Sequence, residues 1–456
     1  MKPLSPTDML FLMMETSTSP MHVAGLQLFT LPDDADENFI QDLVHSARQH
    51  TKATGRFNLY PTSKFGRKYW AKEQDFDVDY HFRHIALPKP GRIRELLSLV
   101  SRLHATPLDH SRPLWEFSII EGLADGRFAV YSKVHHALFD GVSAMITSQR
   151  SLSTTPDERD RPPVWAQERR KKVAGELKHV EAVHPAMALF DAVSEGMEML
   201  PGVRQGLRDL FGNTSKDKAL PFRTPATMFN VATSSSRRFA ADDYDLARFK
   251  NVAKHFKGTL NDVVLAVCGG ALREYMLAHG TLPKEPLIAM IPVSIRSAET
   301  GDDGNQVSVI LASLGTHIAD PVARLEHVIR STTAAKKDLE KLSHMDRIAY
   351  AAALLSPMPL AQVTGYMKHP AFNVVISNVP GPKETLYFNG ARMDSTYPVS
   401  IVVNGQALNI TLNSYNGVLS WGFIACRRAV PQVQRLLDHT EKALSELEDV
   451  MKAADK

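Results

Sequence analysis

Cysteine is nearly absent: Cys268 and Cys426 are the only two in 456 residues. That excludes a disulfide framework and a cysteine-built metal centre, and it fits a reducing compartment. Long apolar runs are missing too. No uninterrupted stretch approaches the ~20 residues needed to cross a bilayer, so any membrane contact is expected to be peripheral. The early run MLFLMM (9–14) lies between Asp8 and Glu15 and no small-residue cleavage site follows it, so no secretion signal is read. Nor is there an excess of charge. The 53 basic and 50 acidic residues leave a net +3, which gives no electrostatic footprint for nucleic acid. The phosphate-binding loop, the dinucleotide glycine fingerprint and the G-x-S-x-G elbow of serine hydrolases are all lacking.

What is present is the composition of a soluble globular protein, 44% apolar and 23% charged. The length exceeds what one core usually holds. Residues 1–151 mix strand patterns (MHVAGLQLF, FAVYSKVHH) with a helical one (IRELLSLVSRLHA). Residues 152–237 turn polar and proline-bearing, then charged and amphipathic, and read as a crossover linker with helices of its own. From 238 to 456 a second mixed unit follows. LNDVVLAVCGGALREYML has helical spacing, LIAMIPVSI, VSVILASL and FNVVIS read as strands, and Asn416-Gly417 marks a hairpin between ALNITLNS and GVLSWGFIAC. The fold class is α/β of the α+β type: two lobes in sequence, neither with regular β-α alternation.

The chemistry concentrates in YSKVHHALFDGVSAM (131–145). A strand through Val134 and a helix from Val142 put His135, His136 and Asp140 on the connection between them. Gly141 lets that connection turn tightly. Neighbours in an extended segment point to opposite sides, so the two imidazoles cannot share one task. One can face a cavity while the other is held in the structure. Imidazole suits proton abstraction from an alcohol or amine near neutral pH. Asp140 can orient the imidazole directly, as in a triad, or fix the loop through a buried ion pair. Zinc is disfavoured, because adjacent histidines in a strand diverge and no further close ligand is seen.

HHALFDG is the HHxxxDG signature of the coenzyme-A-dependent acyltransferase superfamily. PLDHSRPLWEFSIIEGL, GTLNDVVLAVCGGALR, FNVVISNVPGP, YPVSIVVNGQALNI and the opening LSPTDMLFLMMETSTSPMHV narrow the match. Together these blocks resemble the bacterial wax ester synthase/acyl-CoA:diacylglycerol acyltransferase family over nearly the whole chain. The resemblance implies two chloramphenicol-acetyltransferase-like lobes with mixed sheets and a tunnel between them. It implies transfer of a long-chain acyl group from acyl-CoA to a fatty alcohol or diacylglycerol, with no cofactor beyond acyl-CoA as co-substrate and no metal. His136 corresponds to the general base and His135 to a supporting residue. Asp140 corresponds to a structural ion-pair residue, with Arg296 as its partner.

The remaining candidates are substrate-binding residues. Thr259 and Asp262 form a capping pattern before an apolar helix, and Asn261 beside them either donates near the active site or sets the helix start. Trp115 reads as a core anchor or a substrate contact, and Ser377 and Asn378 as tunnel lining or turn residues. Arg169, Arg170, Lys171 and Lys172, or Arg237 and Arg238, are the candidate cations for the CoA phosphates, the first run being equally readable as a solvated helix face. The expected location is cytoplasmic, with peripheral contact to the inner membrane or lipid inclusions through 187–200 or 349–362. Two other readings keep the fold: an acyltransferase with a carrier-bound or polyketide-type acceptor, and a non-catalytic lipid-droplet-binding protein.

Overall fold

The computed structural model describes residues 2–139, 147, 149–167, 218–295, 306–355 and 370–454. Three sheets carry the fold among the described residues. The first large sheet is built from β2 (His22–Thr30), β5 (Phe82–Ala86), β6 (Trp115–Glu121), β7 (Phe128–His135), β12 (Tyr387–Phe388) and β13 (Ala391–Val399). Its order is β12-β13-β2-β7-β6-β5. The second is built from β8 (Arg237–Asp245), β9 (Ile288–Ile295), β10 (Gln306–Ser313), β11 (Val374–Pro380), β14 (Leu408–Tyr415) and β15 (Val418–Cys426), in the order β10-β9-β11-β14-β15-β8. A small third sheet joins β1 (Lys2–Pro3), β4 (Arg67–Lys72) and β3 (Leu59–Lys64). Both large sheets are mixed: β5 runs parallel to β6, and β11 parallel to β9 and β14.

The local signals explain these elements. At the β14–β15 connection Asn416 and Gly417 both have positive φ, 44° and 82°, as the two central residues of a type I′ turn must. Among the described residues the helices are α1 (Pro6–Met14), α2 (Phe39–Arg48), α3 (Val78–His81), α4 (Ile93–Ala105), α5 (Leu246–His255), α6 (Leu260–Ala278), α7 (Pro321–Glu340), α8 (His344–Leu355) and α9 (Arg435–Ala454). α4 presents Leu96 and Val100 to the core and charge to water. α6 is apolar nearly all round, and it is accordingly buried against its neighbours rather than on a surface. A Cβ on its Gly269 would lie 2.1 Å from the Leu314 carbonyl oxygen, so only glycine permits this approach.

The sheets are not sequential in the chain. β13 pairs antiparallel with β2 over Arg392–Val399, so residues from the second half complete the first sheet. One apolar cluster runs from Leu26 and Tyr131 through Phe239 and Val264 to Trp421, so the two lobes share a core. The Phe239 amide also donates to Ser101 Oγ at 2.9 Å, tying β8 to α4.

Candidate active site

His135 ends β7 and His136 opens the turn that follows. The His135 amide donates to the Leu114 carbonyl at 2.9 Å, and the His136 amide donates to the Met21 carbonyl at 2.8 Å. Consecutive residues are thus anchored to different segments, and their side chains part. His135 is fully buried, at 0% exposure. Its Nδ1 accepts the Ala137 amide at 3.0 Å. The neutral ring therefore carries its proton on Nε2, which lies 3.4 Å from a Glu15 carboxylate oxygen. That separation is ion-pair range, and the angle falls outside hydrogen-bond geometry. His136 is half-buried, with its ring stacked on Phe11 at 4.2 Å between centroids and 22° between planes.

Glu15 is the hub of this arrangement. It is the C-terminal cap of α1, the helix that carries Phe11. Its carboxylate accepts the Met21 amide at 2.8 Å and is hydrogen-bonded to His110 Nε2. Burial raises this carboxyl, but the hydrogen bonds from His110 and the Met21 amide and the close approach of the His135 ring outweigh it and hold it at about 2. One anion therefore fixes both ends of the segment that grips His136: the helix behind its ring and the carbonyl above its amide. Sequence reasoning missed Glu15. The available signal was a carboxylate at a helix C-terminus, where the helix dipole disfavours negative charge and a compensating partner is required.

Glu15, His110 and His135 bring ligand-type atoms within 4.8 Å of one another. A histidine that binds a metal normally donates its other ring N–H to an acceptor. Here the other nitrogen of His135 accepts a backbone amide, so Nε2 arrives as a donor. The cluster is built to hold a carboxylate.

Behind it lies a buried polar layer. Lys133 Nζ pairs with Glu116 at 2.9 Å and donates to the Leu103 and Thr106 carbonyls at 3.1 and 3.0 Å, closing the C-terminus of α4. His22 Nε2 donates to the His104 carbonyl at 2.8 Å. His104 accepts the Tyr131 hydroxyl at 3.0 Å and donates to the Ser400 carbonyl at 2.9 Å. Burial pushes the His104 imidazole down to about 3 and His22 well below its usual range, so both are neutral structural residues.

In the second lobe, Asn378 Nδ2 donates to Asn261 Oδ1 at 2.8 Å. Two candidates from distant sequence thus meet, with Ser377 beside them on β11 in register with Thr411. Asp262 is engaged as a cap. One oxygen accepts the Thr259 amide and hydroxyl at 2.8 and 2.7 Å, and the other accepts Thr332 Oγ1 at 2.7 Å. Trp115 is a core residue, 1% exposed, with its indole donating to the Phe57 carbonyl at 2.8 Å and its ring stacked between His81 and Trp165. Asp140, Gly141 and Arg296 lie outside the described residues, as do Arg169, Arg170, Lys171, Lys172 and the 187–200 segment. Arg237 is corrected as a phosphate contact. It is buried, burial pulls its pKa down to about 10, and its guanidinium donates to the Thr18 and Val402 carbonyls at 2.6 and 3.1 Å. It clasps the 15–21 segment to the second lobe.

A small cleft, partly open to solvent, lies in the second lobe against Ile310, Leu339, Leu342 and Tyr350. None of the described candidates above lines it. Among the described residues no helix is long and apolar enough to cross a membrane.

Comparison with known proteins matches this arrangement to one family. Residues 4–264 match the wax ester synthase/diacylglycerol acyltransferase catalytic domain, and residues 303–448 its C-terminal domain. The chain is 44% identical to an O-acyltransferase of Acinetobacter baylyi, over 99% of this chain and 98% of that one. It is 42% identical to a probable diacylglycerol O-acyltransferase of Mycobacterium tuberculosis, over 98% and 99%. The solved wax ester synthase/diacylglycerol acyltransferase of Marinobacter aquaeolei superposes with a TM-score of 0.79 at 38% identity, covering 99% of this chain and all of that one (100%). A condensation domain of the CDA synthetase, 15% identical with a TM-score of 0.59, shares the fold alone. With both of its domain models matched in order and full-length relatives above 40% identity, the chain belongs to the wax ester synthase/diacylglycerol acyltransferase family.

Proposed function

We propose that this protein transfers a long-chain acyl group from acyl-CoA to a fatty alcohol or diacylglycerol, with His136 as general base. The observation that carries the assignment is the division of labour between the two imidazoles. His135 is sealed in the structure and committed to Ala137 and Glu15, whereas His136 is half-buried and its ring is held from behind by Phe11. Family membership supports the reaction class.

In this reading His136 takes the hydroxyl proton as the alcohol oxygen attacks the thioester carbonyl. The C–O bond forms, and the tetrahedral intermediate collapses with cleavage of the C–S bond. The imidazolium then returns its proton to the sulfur of CoA. A thiol with a pKa near ~8.5 leaves far more readily than an alkoxide, which drives the exchange towards ester. Direct transfer needs no acyl-enzyme. Asn261 and Asn378, locked to each other, are the proposed polar contacts on the opposite lobe, and Asp262 acts by holding the helix start that presents Asn261. Asp140, with Arg296 as its ion-pair partner, remains the proposed brace of the motif loop.

The test is CoA release from palmitoyl-CoA with hexadecanol or dipalmitoylglycerol. His136→Ala is expected to lower kcat by about 10²–10⁴-fold with the fold retained. Undiminished turnover in that variant, or stable labelling of the protein by radioactive palmitoyl-CoA alone, would overturn the scheme.

A further inference from the structure

The β3–β4 hairpin ends on Phe65-Gly66, between the register pair Lys64 and Arg67. Both turn residues have positive φ, 50° and 74°. This is a two-residue turn of the kind that selects Asn-Gly, and a bulky aromatic at its first position is conformationally disfavoured. Phe65 is also 95% exposed, against 70% for Met13 and less for the other exposed large apolar residues described. An apolar side chain held out to water by a strained turn asks for a partner that rewards it.

Charge says what that partner is. Residues 59–72 carry Lys64, Arg67, Lys68 and Lys72 and no acid. The hairpin's four cations exceed the +3 of the whole chain, so everything outside it is net acidic. All four are exposed, and β1 adds the exposed Lys2 in register with Trp70. Lys64 Nζ lies 5.7 Å from the Phe65 ring centroid, and none of the five cations is in an ion pair among the described residues.

We infer that the β3–β4 tip is a docking element for an anionic phospholipid surface, with Phe65 entering the interface and the surrounding cations meeting the headgroups. A nucleic-acid partner would need a broader basic face than a chain of net +3 offers. The hairpin is joined to the active site by one short helix. Trp70 Nε1 donates to Asp8 of α1 at 2.9 Å, and Phe11 of the same helix stacks on His136. Docking there would bring membrane-dissolved acceptors to the lobe that holds the base. The docking proposal deepens the acyl-transfer reading, but its test measures binding without turnover, so either can fail alone.

The full-length protein is to be floated with phosphatidylcholine vesicles and with vesicles containing 30 mol% (~30%) phosphatidylglycerol. The parent is expected to bind the anionic vesicles at least about tenfold more tightly. Phe65→Asn suits the turn, so its thermal midpoint should hold or rise while anionic-vesicle affinity falls about tenfold. Lys64→Glu/Arg67→Glu should abolish the anionic preference. Equal binding to both vesicle types, or no binding to either, overturns the inference. So does unchanged vesicle affinity in Phe65→Asn, which would mark the patch as a general polyanion site.

Discussion

Replacing Glu15 with glutamine tests whether one buried anion sets the geometry of the base. In the native site its two oxygens serve the Met21 amide on one side and the His110 and His135 rings on the other. An amide cannot serve both: whichever way it is turned, its NH₂ faces a donor. A buried unsatisfied donor costs about 1–3 kcal/mol. The native carboxyl sits at about 2 against an ordinary 4.5, worth on the order of 3 kcal/mol of folding stability. Because the folded pKa is depressed, that stability is fully present above pH 4.5 and drains away as pH falls from there towards 2. Glu15→Gln should therefore lower the urea midpoint at pH 7 and flatten the acid limb of stability. The Met21 carbonyl and Phe11 would shift with the 15–21 segment, and a misplacement of the base by ~1 Å is worth up to about 10²-fold. The loss should fall on kcat, with KM moving little, in the CoA-release assay. A variant with parental kcat and an unaltered acid limb would refute the idea that Glu15 positions His136.

Other expectations separate contact from scaffolding. Asn378→Ala breaks the bond to Asn261 and should lower kcat/KM by about five- to tenfold with the urea midpoint nearly unchanged. Asp262→Ala should be about 1–2 kcal/mol less stable, because three hydroxyl and amide donors lose their acceptor, and should also lower kcat/KM by loosening the helix start that presents Asn261. In Gly422→Ala the new methyl carbon would lie 2.1 Å from the Pro398 carbonyl oxygen, so equilibrium unfolding should show about 2–3 kcal/mol of destabilisation.

Much of this was legible before the fold. Period-2 and period-3.6 patterns located β2, β7, α4 and α6, and the Asn-Gly pair located the last hairpin, because those signals depend only on neighbours in the chain. That the side chains of His135 and His136 part followed from strand alternation, whereas the choice of His136 as base came from the family resemblance. The parts that were not legible depend on partners far away in sequence. β13 pairs with β2, some 370 residues earlier, and nothing local in the sequence announces that partner. Lys133 is buried because Glu116 and the Leu103 and Thr106 carbonyls close over it, partners that its own neighbours do not announce. Arg237 reads as a surface cation until carbonyl oxygens from both lobes surround it. Trp115 was read both ways, and the ring stack that fixes it in the core is assembled from three separate segments.

The strand exchange also constrains how the molecule can be made. While the polypeptide leaves the ribosome, the outer rim of β2 stays without a mate until Val399 has been synthesised, so an N-terminal fragment exposes a raw β edge of the sort that aggregates. Splitting the gene at the crossover should therefore give insoluble halves unless both are produced together.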